Sequence, residues 1–165
     1  MNAVAEPETR ALAGFWQRRV VAPVVAQLRQ GITPEKIALT LALGIVFGLF
    51  PILGATTALC AIAAVWLRLN QPLIQAVNYL LSPLHLLLLL PFYRAGETLF
   101  SQDHVPIFSV TELVERFRAG PLQFVIDYGM VGVYGIVVWA LIAPPLAVIL
   151  YFSLRPLMRA LARRA

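Results

Sequence analysis

Three stretches of this sequence, 37–67, 69–93 and 128–154, contain no Asp, Glu, Lys or Arg across 31, 25 and 27 residues. About 20 mostly apolar residues suffice for a helix to cross a bilayer, and lipid tolerates only backbone whose hydrogen bonds are made internally. The chain is therefore expected to be an all-α, polytopic helical membrane protein with proline-broken, re-entrant helices. Composition points the same way: 60% of the residues are hydrophobic and 13% charged, with a mean hydropathy of +0.80, whereas a soluble domain is about half apolar and about one quarter charged. Residues 1–30 hold no continuous apolar core followed by a small-residue cleavage site, so no removable signal peptide is expected.

The charges outside the runs give an orientation, because Lys and Arg near the ends of spans stay cytoplasmic. Arg10, Arg18, Arg19, Arg29 and Lys36 precede the first run, and Arg155, Arg159, Arg163 and Arg164 follow the last. Both termini are expected inside. The stretch 94–127 carries Arg94, Arg116 and Arg118 against five acidic residues and reads as outside. The net charge of +5 fits basic cytoplasmic ends; a nucleic-acid partner would want a basic face interleaved with aromatics, and none is seen. The single cysteine, Cys60, lies inside the first run, where a small buried apolar residue is the expected role.

Five segments follow from this pattern. Residues 1–30 read as a basic amphipathic cytoplasmic segment: Trp16, Val20, Val24 and Leu28 recur every four residues, which suits a helix on the inner leaflet or one packed on its own protein. Residues 31–100 form the membrane core. In it, Thr33 can cap a helix and Pro34 can occupy its first turn, while Pro51 and Gly54 interrupt the first uncharged run. Each piece is about 13 or 14 residues, roughly 20 Å of helix against a hydrocarbon core of about 30 Å. The expected arrangement is a hairpin over 37–67 that dips into the bilayer and returns, leaving 72–93 as the crossing; three short crossings satisfy the same parity. Residues 101–127 make an extracytoplasmic connection with a short surface helix, which Ser109 and Glu112 could cap and Gly120 and Pro121 end. Residues 128–154 form the C-terminal transmembrane helix, with a kink expected at Ala143, Pro144 and Pro145, and 155–165 a basic cytoplasmic tail. Gly44 and Gly48 make a GxxxG pair that permits close helix contact.

Within the second run, Gln71, Gln75, Asn78, Ser82 and His85 are spaced by four, three, four and three residues, which places them on one helical face. Lipid offers such groups no partner. Gln71, Gln75, Asn78 and Ser82 are therefore expected to face the hairpin, bonded to one another or to backbone freed at the proline breaks, with Thr56 and Thr57 opposite. His85 is left aside because Pro83 breaks the helix phase before it. Either this face packs helices through interhelical hydrogen bonds, or it lines a polar cavity of the kind broken helices build near the midplane. Ser82 and His85 could approach one another, but no acidic residue in the runs orients the histidine and no nucleophile elbow precedes the serine. No catalytic, cofactor or metal residues are expected, and the chain does not read as an enzyme.

The segment from Gly31 to Phe100 resembles the bacterial membrane family DUF2062, a domain of unknown function. The resemblance rests on the Gly44 and Gly48 pair, the Phe50-Pro51 turn with Gly54, and Arg68 with Asn70. It departs at Ser82-Pro83, where the family commonly has Asn-Pro, and at Thr56-Thr57, where it commonly has Gln-Thr. The resemblance implies an integral protein of the bacterial cytoplasmic (inner) membrane and supplies no activity. The expected role is a polar intramembrane cavity that binds or moves a small solute or lipid headgroup; the alternative is a non-catalytic anchor or scaffold whose polar face only packs helices. The expected partners are the lipid bilayer and further copies of this chain or other membrane proteins.

Overall fold

The computed structural model describes residues 32–102 and 110–163, and every regular element in them is a helix: α1 Pro34–Gly48, α2 Ala55–Trp66, α3 Gln71–Leu80, α4 Ser82–Leu99, α5 Val110–Ala119 and α6 Pro121–Ala162. The segment 1–30 and the expected cap Ser109 lie outside those residues.

Local chemistry sets most helix ends. Thr33 is extended (φ −65°, ψ 143°) and its hydroxyl oxygen accepts from Lys36 N at 3.4 Å, while Pro34 sits in the first turn, where its missing N–H costs nothing. Helix α1 stops because Pro51 has no N–H to offer Phe47 O. Phe50 N takes that carbonyl instead, at 3.2 Å, in a tighter turn. Gly54 then has φ +82°, and no atom lies within 4 Å of where a Cβ would stand. Glycine is required there for its backbone conformation, not for room. Helix α2 ends on Arg68, also left-handed at φ +51°: Leu69 N bonds Ala64 O at 2.8 Å and Arg68 N bonds Val65 O at 3.3 Å, the paired closure that usually employs glycine. Asn70 caps α3 by accepting from Leu73 N at 2.8 Å.

Helices α1 and α2 are the arms of the hairpin, and α3 packs on both. Gly44 lets α3 approach α1 closely, since a Cβ there would be 3.1 Å from Val77 Cβ. The arms and α3 enclose Cys60, Ala63, Ala64 and Ile74, with Leu43, Phe47 and Leu69 around them. A second cluster, Ile37, Ala38, Leu41, Leu73 and Met158, joins the start of α1 to the end of α6. Helix α6 packs on α1 and α4, so it ties the hairpin to the rest. Its contact with α4 is nearly backbone to backbone at Gly96 and Tyr134.

Helix α6 differs from the expected 128–154 span. It runs for 42 residues through Pro144, Pro145 and Pro156 and absorbs the start of the expected tail. Val138 and Ala143 before or at the proline pair and Met158 beyond it are all buried; packing on both sides holds the halves in one helix despite the lost backbone donors. At Leu81 the expected break is present, but Pro83 stands in the first turn of α4 rather than inside a continuous helix.

Helix α6 is long and apolar enough to cross a membrane. Helices α3 and α4, bent by 63° where they meet, pass the same test as one broken span, and α2 is a shorter apolar helix. The apolar surface is accordingly outward: Ile62, Val65 and Trp66 on α2 are exposed, Trp66 by 86%, as are Leu141, Ile142, Val148, Ile149 and Phe152 on α6.

Candidate functional site

The polar face of α3 meets the second arm of the hairpin. Asn78, 3% exposed, donates through Nδ2 to Thr57 Oγ1 at 3.2 Å and lies 3.3 Å from Gln75 Oε1, and Gln75 Nε2 donates to Thr57 O at 3.0 Å. These bonds join α3 to the start of α2 at Thr57. Gly48 of α1 stands beside them, where a Cβ would be in ordinary contact with Asn78 Oδ1 at 3.4 Å. Thr56 is buried in the same turn.

The rest of the expected face lies elsewhere. Gln71 is exposed, in the first turn of α3 at the foot of the hairpin. Ser82 is also exposed and turns its hydroxyl back to Asn78 O at 3.4 Å, as the bend at Leu81 resets the helix phase. It makes no pair with His85, which is 6% exposed and whose Nε2 has no hydrogen-bond partner. Nor do the amides meet the carbonyls freed at Pro51. Those accept from elsewhere: Val46 O from Trp139 Nε1 at 3.0 Å, and Pro51 O from the Tyr93 hydroxyl at 2.8 Å. Sequence reasoning missed both donors, although a Trp N–H or Tyr O–H that is buried usually finds an acceptor.

Two charged groupings flank this core. Beside the α4 and α6 contact, Glu97 is fully buried and accepts from Arg94 Nη1 at 2.7 Å. At the other end Glu35 bonds Arg159 of α6 at 2.7 Å, with Arg155 at 3.7 Å. The Arg159 hydrogen bond holds the Glu35 carboxyl below the usual carboxylate range. Next to Glu35, the two feet of the hairpin come together. Ile32, Thr33 and Lys36 from the first foot and Arg68, Leu69 and Asn70 from the second line one cavity of about 290 Å³. A larger cavity of about 430 Å³ is lined by Ala76, Tyr79, Leu80 and Pro83, on the side of α3 away from the amides. Among the described residues no group of three or more His, Cys, Asp or Glu could hold a metal ion.

A family model described as an uncharacterized protein conserved in bacteria, DUF2062, matches residues 18–165. The chain belongs to this family. No curated protein and no solved structure matches it. The DUF2062 match reaches well beyond 31–100, the part that carries the resemblance, and takes in α6. Structurally that is the natural unit, since α6 supplies Trp139 to the hairpin break and Arg159 to its first foot.

Proposed function

We propose that this DUF2062 protein is a multi-pass protein of the bacterial cytoplasmic membrane, with both termini inside, and that it serves as a non-catalytic anchor or scaffold. Its hairpin α1–α2 enters from the cytoplasmic side and turns back, the broken pair α3–α4 crosses outward, and α6 returns. The meeting of the two feet in one cavity supports a hairpin that comes back to the side it left. The outward apolar faces of α2 and α6 support a lipid surround.

One observation carries the choice of scaffold over conduit: Gln75 and Asn78 of α3 direct their amide donors to Thr57 of α2, at its carbonyl and its hydroxyl, and Asn78 also donates to Gln75. Interhelical bonds of this kind are worth about 0.6–2 kcal/mol each. They make a lock between hairpin and crossing helix. Asn78→Leu should therefore lower resistance to SDS unfolding by about 1–2 kcal/mol, followed by helical circular dichroism. Sealed liposomes holding the wild-type protein should lose trapped ions and neutral solutes no faster than empty ones. A flux that Asn78→Leu abolishes at unchanged stability would overturn the scaffold reading in favour of a conducting cavity.

The topology is tested separately by impermeant thiol labelling in a Cys60→Ala background, which removes the buried native thiol. Cysteines placed at Lys36 and at Arg68 should label only when the cytoplasmic face is opened, and one at Gln102 should label in intact cells. Labelling of the two feet from opposite sides is the result that ends the hairpin reading.

A further inference from the structure

The cavity between the two feet has a lining that the scaffold reading does not use. Two of its walls are cations from different arms, Lys36 on α1 and Arg68 after α2. Both are exposed, and among the described residues neither makes an ion pair. The nearest acid in sequence, Glu35, has its charge taken up by Arg159 and Arg155. Helices α1 and α3 both begin at this cavity, so the positive ends of two helix dipoles add to the same field. A space of about 290 Å³ between two uncompensated cations and two helix N-termini suits a compact oxyanion.

The position of Arg68 sharpens the point. It occupies the left-handed closing position of α2, at φ +51°, where glycine would sit without strain. The fold asks only for a residue that tolerates this backbone. The charge answers to something else.

We propose that the cavity formed by Lys36 and Arg68 binds a phosphate-bearing anion, either the headgroup of an anionic phospholipid or a free phosphate. The lipid source rests on the reading of the feet as lying at the cytoplasmic membrane surface; the free-phosphate source does not. The anion's oxygens take the Lys36 ammonium and the Arg68 guanidinium, bridging the two arms of the hairpin at its base.

The test uses the full chain in nanodiscs of phosphatidylcholine with and without phosphatidylglycerol. Native mass spectrometry counts the phosphatidylglycerol that stays bound on release, and a parallel titration with inorganic phosphate in phosphatidylcholine discs follows the thermal midpoint. The variants are Lys36→Gln and Arg68→Gly. The second relieves the strained backbone and so keeps the fold while removing the charge. Each variant should weaken anion binding roughly fivefold and the pair about thirtyfold, one surface charge being worth about 1 kcal/mol. Selective retention of phosphatidylglycerol that the variants lose assigns the lipid source. A phosphate-dependent rise in the midpoint that they lose assigns the free anion. Equal binding by wild type and the double variant, or no binding of either probe, overturns the proposal. Failure of the membrane reading looks different: the feet would label from opposite sides whatever the anion does.

Discussion

Gly96→Ala is expected to cost more stability than alanine at any other described glycine. A Cβ at Gly96 would stand 2.6 Å from the carbonyl carbon of Tyr134 and 2.7 Å from its oxygen, distances that real Cβ atoms do not adopt. The obstacle is backbone, so no rotamer change relieves it and α4 must move off α6. That movement also disturbs the stacked rings of Phe100 and Tyr134, 4.7 Å apart, and the buried Glu97 next door. Alanine by itself favours a helix over glycine by about 1 kcal/mol, yet overpacking against an immovable neighbour costs about 3 kcal/mol or more. The expected net loss is about 2–3 kcal/mol. SDS unfolding of the variant, followed by helical circular dichroism, measures it. Gly129→Ala is the control, because nothing lies within 4 Å of a Cβ there, and it should be neutral or slightly stabilising. Equal behaviour of the two variants would mean that α4 and α6 are not this close.

The second large effect is expected at Trp139, whose ring and N–H act separately. The ring packs edge-on to Phe50 at 5.0 Å and tilted against Phe47 at 6.2 Å, so it fills the hairpin break from the α6 side. Its Nε1 donates to Val46 O, a carbonyl otherwise met only by Leu49 N at 3.4 Å. Trp139→Phe keeps most of the ring and removes the donor, at about 1 kcal/mol. Trp139→Ala removes both and leaves a void, at about 3–4 kcal/mol. The difference between the two variants reports the ring alone, and the same unfolding measurement gives both. If Trp139→Phe proved neutral, the indole bond to Val46 would have no energetic part in holding the break.

What could be read from the sequence is what short-range chemistry decides. Thr33 and Pro34 start α1, Pro51 and Gly54 end it, and Gly120 and Pro121 separate α5 from α6, because each acts on backbone within a few residues. Gln75 and Asn78 could be read as inward for the same kind of reason: a one-turn repeat of amides has one face. Gln71 and Ser82 share that spacing but are exposed, since spacing knows nothing of what packs at the first turn of a helix or where a helix bends. The donors to the freed carbonyls, Tyr93 and Trp139, were illegible because 42 and 93 residues of chain separate each from its acceptor. Glu97 read as part of an outer connection, whereas α4 carries it into the contact with α6.

That 93-residue separation also bears on the order in which the molecule is made. The hairpin is complete as a chain once Arg68 has left the ribosome, but its break still lacks Trp139, and its first foot lacks Arg159. Until α6 has been synthesised, Val46 O has only its weak local donor, and the surface of Ile37, Ala38 and Leu41 waits for Met158. Long-range closure of this sort is slow compared with helix formation. The hairpin therefore reaches its final packing only after α6 has been made, and a chain that stops before residue 139 has a hairpin whose bend lacks its indole donor.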